Sequence, residues 1–187
     1  MAGADEAGRG CLFGPVYAAA VILDEQRPIQ GLADSKTLSP ARRAELAAAI
    51  RGRAAAWAVA FADADEIDRI NIYQASRLAI RRAVLQLEPP ADYLLIDALT
   101  VDVDLPQEGI IKGDALVPSI SAASILAKVA RDEWVERADS EYPGYGLARH
   151  KGYPTPEHIE ALRSLGPTPL HRRSYSPVRA ALQGRLT

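Results

Sequence analysis

Cysteine is nearly absent: Cys11 is the only one in 187 residues. An intrachain disulfide and a cysteine-built zinc cluster are therefore excluded, and a reducing cytoplasm suits the chain. Long hydrophobic runs are missing as well. None reaches the ~18 residues of a membrane span, and the start shows no basic region followed by an apolar stretch, so no secretory signal is visible. There is no internal repeat and no low-complexity linker. Neither G-x-x-x-x-G-K-[ST] nor G-x-G-x-x-G occurs, which weakens any reading as a nucleotide-utilising enzyme. His150, His158 and His171 lack zinc-ligand spacing and read as surface or phosphate-adjacent residues.

What is present begins with an uneven charge. The net is only −2, but Tyr142 to Thr187 holds seven Lys/Arg against two Asp/Glu, a net of +5, and the remainder is at −7. A basic flank beside an acidic centre suits phosphate binding next to a metal site; chance segregation is the bland alternative. Nearly half the residues are apolar, which is ordinary for a globular core.

The hydrophobic pattern predicts a short strand over Met1–Asp5 and another over Val16–Leu23, bounded by Gly14-Pro15 and Asp24-Glu25. Ser39-Pro40 then caps an alanine-rich helix. Ala54–Ala62 reads as a third strand. Ile72, Ala75, Leu78, Ala79, Ala83 and Leu87 mark an amphipathic helix that stops before Pro89-Pro90. Tyr93–Ile96 is a short buried strand, and residues 110–112 offer one more. Ser119–Glu141 is the longest helical stretch, and its small-residue start lets another backbone approach closely. Thr155-Pro156 and Ser176-Pro177 cap two closing helices. Early adjacent strands pair antiparallel and later ones, separated by helices, pair parallel. The expected class is α/β: a mixed five-stranded sheet flanked by helices, over residues 1–141, with a basic helical extension over 142–187 packed on it.

Asp5 and Glu6 stand side by side, followed by Ala7-Gly8-Arg9-Gly10. Adjacent acids in a strand point to opposite faces, so one of them is ordinarily solvated. Glycines there weaken a strand and allow backbone to approach a ligand, and Arg9 can hold a phosphate or sugar oxygen. Asp97 ends a buried strand, the usual site position in open α/β sheets. Asp114 precedes the long helix. Capping a turn is the alternative for both. Carboxylates gathered at one sheet edge repel one another unless divalent cations lie between them. Hard oxygen ligands favour Mg²⁺ or Mn²⁺ over zinc.

These residues resemble one family closely. ADEAGRGCLFGPV, LADSKTLSPARR, INIYQAS, LLIDA, IIKGDALVPSISAASILAKVARD, HKGYPTPEH and HRRSYSPV occur in order over nearly the whole chain, and together they resemble the type II ribonucleases H, ribonuclease HII. The resemblance implies an RNase H-like fold and a site of Asp5, Glu6, Asp97 and Asp114 holding two divalent metals. It implies hydrolysis of the phosphodiester 5′ of a ribonucleotide, in RNA–DNA hybrids or at single ribonucleotides in duplex DNA, leaving 3′-hydroxyl and 5′-phosphate ends. Two metals about 3.5–4 Å apart can activate the water, neutralise the phosphorus centre and stabilise the leaving oxygen, so no nucleophilic side chain is required.

The resemblance also assigns substrate contacts. Gly8, Arg9 and Gly10 match a loop that lies against the ribose and detects its 2′-hydroxyl, largely through backbone groups; that hydroxyl separates RNA from DNA. Tyr153 matches a tyrosine that stacks on the next sugar and touches the same hydroxyl. Lys36 matches a phosphate-contacting lysine. Asn71, Ser119, Ser121 and Ser124 are candidate phosphate contacts, with helix capping as the alternative. Lys128 and Arg131 could face phosphates or pair on the helix surface. Arg149, Lys151, Arg172 and Arg173 make a duplex-binding rim credible. Two features depart from the pattern: Ala98 stands where many relatives have glycine, and the first strand is short enough to fray. No sliding-clamp motif is recognisable in RAALQGRLT. The chain is expected to be a cytoplasmic monomer, acting on a nucleic-acid duplex and not on membranes. A metal-independent hybrid-binding protein is the alternative from another class; retention of all four acids argues against it, because acids repel phosphate.

Overall fold

The computed structural model describes residues 1–184; the final three, in which part of the clamp-motif question and the end of the basic extension fall, lie outside the described residues. The elements run β1 (Ala2–Ala7), β2 (Val16–Ile22), α1 (Pro40–Arg53), β3 (Ala56–Ala62), α2 (Ala64–Leu85), β4 (Leu94–Asp97), β5 (Gln107–Ile110), α3 (Gly113–Leu116), α4 (Pro118–Glu141), α5 (Leu147–His150), α6 (Pro156–Leu165) and α7 (Ser176–Leu182). The five strands order as β3-β2-β1-β4-β5. β2 pairs antiparallel with β1 and β3, and β4 pairs parallel with β1 and β5. The expected mixed sheet is therefore present. Among the described residues no helix is long and apolar enough to cross a membrane.

β1 is the central strand and does not fray. It is paired on both sides, to β2 through Ala7 and to β4 through Ala4, and it extends two residues past Asp5. Its side chains alternate as a two-sided strand must. Ala2 and Ala4 join the apolar layer beneath α2, whereas Ala7 joins the layer beneath α1 and α4. Gly3, between them, faces α4: a Cβ there would lie 2.2 Å from the Ser119 carbonyl carbon. Glycine and the small-residue start of α4 thus let the helix cross the strand almost backbone to backbone.

Local signals set the helix starts. Ser39 accepts the Arg42 N–H ahead of Pro40, and Asp63 and Glu66 cap α2 reciprocally. α2 begins well before Ile72 and kinks at Asn71, whose φ is 66°. β5 lies earlier than residues 110–112, because Gln107 is fixed by bonds between its amide and the Val101 backbone, while Lys112 at φ 59° ends the run. Ala98 adopts φ 55°, the left-handed region in which glycine carries no Cβ penalty.

The segment after α4 wraps back over the N-terminal loop. Leu12 and Phe13 form one apolar cluster with Val135, Tyr145, Leu147, Leu162 and Val178. The chain at 11–14 is held on both sides: Leu12 N–H bonds the Gly152 carbonyl at 2.8 Å and Gly14 N–H the Leu170 carbonyl at 2.9 Å.

Candidate active site

Asp5, Asp97 and Asp114 each bring a carboxylate oxygen within 4.8 Å of the others. Strand geometry explains the meeting. Ala4 is in register with Ile96, so Asp5 and Asp97 are neighbours across a parallel pair, both on the α4 side. Asp114 arrives from α3, whose entry is tied to Asp97: Gly113 N–H donates to Asp97 Oδ1 at 2.8 Å. Ser121 Oγ donates to the Asp114 carbonyl at 2.6 Å and fixes that turn from α4.

Glu6 stands apart from this triad because β1 has not ended. It projects to the opposite face, where Oε1 accepts from Arg9 Nη1 at 3.2 Å and Oε2 is buried without a partner. It nevertheless lines the same cavity, with Asp5, Gly8, Arg9, Gly10, Ser35, Lys36, Asp97, Ser124, Lys128 and Tyr153. A larger groove runs along α2 past Ile70, Arg77, Leu78 and Val101, but no acids converge there.

Burial pushes the Asp5 carboxyl well above its ordinary range, and the charges of Glu6 and Asp97 push it further. Burial also raises Glu6, against the opposing pull of Arg9, and raises Asp97, against the Gly113 N–H. Burial alone would lower the Lys36 ammonium; the carboxylates of Asp114, Asp34 and Asp5 outweigh it and raise it. Lys36 Nζ lies 3.5 Å from Asp114 Oδ2. Buried like charges, hard oxygen donors and an unpartnered Glu6 oxygen fit a hard divalent cation.

Of the other sequence candidates, Gly8, Arg9, Gly10, Lys36 and Tyr153 gather at this cavity. Asn71, Ser119 and Ser121 do not line it. Asn71 sits at the α2 kink and caps the Gln74 N–H at 3.1 Å. Ser119 packs against Gly3, and Ser121 braces Asp114. Ser35 had not been singled out. Its hydroxyl bonds Ser124 Oγ at 2.7 Å, and its position in the DSK run was the available signal.

Two expectations about the basic flank are corrected. Arg172 is not on a rim; it is fully buried, as is Arg131. The three histidines are not surface residues either. His158 stacks on His150 with ring centroids 4.5 Å apart. Their partners assign the tautomers. Thr168 N–H donates to His171 Nδ1 at 2.9 Å, so His171 donates from Nε2 to His158 Nε2 at 3.1 Å. His158 in turn donates from Nδ1 to the Tyr153 carbonyl at 3.0 Å. The relay works only with neutral rings, and it ends on the loop that carries Tyr153.

Burial lowers His158 to about 4 and His171 to about 3, the latter helped by the His158 charge. At these two rings the unfolded chain therefore binds more protons than the folded one below about pH 6.5. Their contribution to stability is fully present above that value and is lost as pH falls toward the folded pKa values. The share of the urea midpoint due to these rings is expected to hold steady from pH 8 to 7 and to drop by the equivalent of several kcal/mol by about pH 4.5. The raised Asp5, Glu6 and Asp97 carboxyls act in the opposite sense, so this share is read as the difference from a His158→Gln/His171→Gln variant, and a difference unchanged across that range would mean that the rings are charged in the fold.

The family model described as Ribonuclease HII matches residues 2–178. The ribonuclease HII of Solibacter usitatus (strain Ellin6076) is 59% identical over 180 residues, covering 96% of this chain and 79% of that one. That of Laribacter hongkongensis (strain HLHK9) is 56% identical over 185 residues, covering 97% and 93%. The crystal structure of the ribonuclease H2 from Pyrococcus horikoshii OT3 superposes with a TM-score of 0.83 at 26% identity, covering 97% of this chain and 96% of that one.

Proposed function

The chain belongs to the ribonuclease HII family of metal-dependent endonucleases, and from that premise we propose that it hydrolyses the phosphodiester on the 5′ side of ribonucleotides, in RNA–DNA hybrids and at single ribonucleotides in duplex DNA. The observation that carries the reading is the convergence of Asp5, Asp97 and Asp114 from three segments at the wall of a cavity that also holds the Gly8-Arg9-Gly10 loop and Tyr153. The acids alone would repel a phosphodiester. With the loop and the tyrosine beside them, they form a site with a place for a sugar.

Asp5, Asp97 and Asp114 would hold divalent ions, Mg²⁺ or Mn²⁺, two of them during turnover, with Glu6 contributing from the other face of β1. When bound, such ions supply an activated water and stabilise the leaving 3′-oxygen, giving 3′-hydroxyl and 5′-phosphate ends. Lys36 and Lys128 line the cavity and offer positive charge to the flanking phosphates. Lys128 Nζ lies 5.7 Å from the Tyr153 ring centre, which holds ring and cation on one side of the groove. Residues 142–187 serve as a basic extension on a catalytic domain of residues 1–141, and it presents Tyr153 and Arg173 to the duplex.

Cleavage of a DNA duplex carrying one ribonucleotide tests the reading. Folded protein with Mg²⁺ or Mn²⁺ is expected to nick it once, 5′ of the ribonucleotide, and a chelator is expected to abolish the nick. Tight metal-independent binding without a nick would sink the reading in favour of a hybrid-binding protein.

A further inference from the structure

Arg172 is the least expected residue in the molecule. It is fully buried, yet no carboxylate among the described residues bonds or pairs with it. A buried guanidinium without a counter-charge costs several kcal/mol, so its contacts identify what that cost secures. Nε donates to the Gly14 carbonyl at 2.8 Å, and Nη1 donates to the Arg9 carbonyl at 2.9 Å and to Tyr175 Oη at 3.1 Å. Tyr175 Oη donates onward to the same Arg9 carbonyl at 2.5 Å. Nη2 remains buried without a partner. Two donors, from one short segment of the HRRSYSPV run, thus converge on one carbonyl of the Gly8-Arg9-Gly10 loop.

The Arg9–Gly10 peptide is planar and trans, so its carbonyl and its N–H point in opposite directions. Pulling the Arg9 carbonyl inward onto Arg172 and Tyr175 turns the Gly10 N–H away from them. Gly10 lines the acidic cavity, and among the described residues nothing accepts a hydrogen bond from its N–H. A loop with two glycines could flip this peptide easily, and a flip would present a carbonyl where the N–H now stands. We propose that Arg172 and Tyr175 are positioning residues that lock the Arg9–Gly10 peptide with its N–H facing the cavity, and that this lock sets the discrimination between ribose and deoxyribose. An N–H in that place can donate to a sugar hydroxyl; a carbonyl would repel the hydroxyl's lone pairs. The inference rests on the ribonucleotide-cleaving reading and deepens it.

The desolvated setting supports the lock. Burial lowers the pKa of the Arg172 guanidinium, against the Tyr175 and Cys11 groups that raise it. A charged donor in so dry a place holds a carbonyl more firmly than a neutral one.

The test separates binding from chemistry. In an Asp97→Asn background with Mg²⁺, dissociation constants are measured for one duplex with a single ribonucleotide and for its all-deoxy counterpart. Tyr175→Phe, which keeps the ring and removes the hydroxyl, is expected to shrink the ribo preference by about fivefold, the worth of one net hydrogen bond. Arg172→Met is expected to bring the preference near unity, and Arg172→Lys to fail as a rescue because it lacks the planar fork. Affinity for the all-deoxy duplex stays within about twofold throughout. An undiminished preference in folded Tyr175→Phe overturns the lock, as does an equal loss of affinity for both duplexes. If the Asp97→Asn parent itself shows no ribo preference and the wild type shows no nick, the functional reading fails instead.

Discussion

Asp97→Asn is expected to lower cleavage by on the order of a thousandfold, about 4 kcal/mol of transition-state stabilisation, while leaving the affinity for a ribonucleotide-containing duplex within about threefold. The substitution is chosen for what it keeps. Asparagine retains the Oδ1 acceptor that Gly113 N–H engages at 2.8 Å, so the approach of α3, and with it Asp114, is preserved. What it removes is one negative charge from a cluster in which burial and mutual repulsion already raise Asp5 and Asp97. An acid whose folded pKa is raised contributes stability that is present below its unfolded pKa and is lost as pH rises through the folded one. At neutral pH in chelator, the variant should therefore melt at or above the wild-type temperature. Added Mn²⁺ should raise the wild-type melting temperature by several degrees and that of the variant by less, because binding to the folded state alone stabilises by mass action. Parallel loss of melting temperature, duplex binding and cleavage would place Asp97 among the structural residues instead.

The same cluster shows where sequence reasoning succeeds and where it stops. Asp5 and Asp97 were legible because each stands at the end of an apolar run, and Asp114 because it precedes the long helix; both are local properties. The sheet was legible for a similar reason: Val16–Ile22 and Ala56–Ala62 announce themselves by composition, and the intervals between runs set the pairing directions. Residues whose roles depend on distant partners were not legible. Arg172 meets Arg9 and Gly14 across more than 150 residues of chain, and His158 and His171 become neutral because segments distant in the chain bury them. A basic or imidazole side chain in a polar segment reads as solvated; nothing in its neighbours reports that the segment will be covered. Glu6 is a different case. It lines the cavity as its place in the sequence suggests, but its distance from the three aspartates follows from β1 continuing to Ala7, and strand ends are among the least determinate features of a sequence. Asn71 likewise sits where a helix of ordinary periodicity kinks for reasons that the period does not carry.

Gly8→Ala is expected to have the second large effect, through the fold as well as the reaction. Gly8 has φ +98°, and a Cβ there would lie 2.0 Å from Arg131 Nε and 2.4 Å from its Cδ. Arg131 cannot swing aside. It is buried and anchored by Nη1 to the Lys151 carbonyl at 3.0 Å and by Nη2 to the Phe13 carbonyl at 3.4 Å. Backbone strain and overpacking each cost about 1–3 kcal/mol, so the melting temperature should fall by roughly 10 °C. The loop would move by the better part of an ångström, and a misplacement of that size lowers cleavage by on the order of a hundredfold. Gly10 is the control within the same three residues: a Cβ there meets nothing nearer than the Tyr153 ring at 4.0 Å, so Gly10→Ala should fold normally. Adding Arg131→Ala to Gly8→Ala removes the collision and leaves the backbone strain. Measured melting temperatures should then show a coupling energy of at least about 1 kcal/mol between the two sites. An unaltered melting temperature in Gly8→Ala would mean that the loop does not rest on Arg131. Independent, additive effects would separate the two residues that the geometry presses together. If the coupling is found, the first glycine of the loop is required by the buried arginine behind it as well as by the sugar in front, and Arg131 joins Arg172 as a cation that the fold buries to shape one short stretch of backbone.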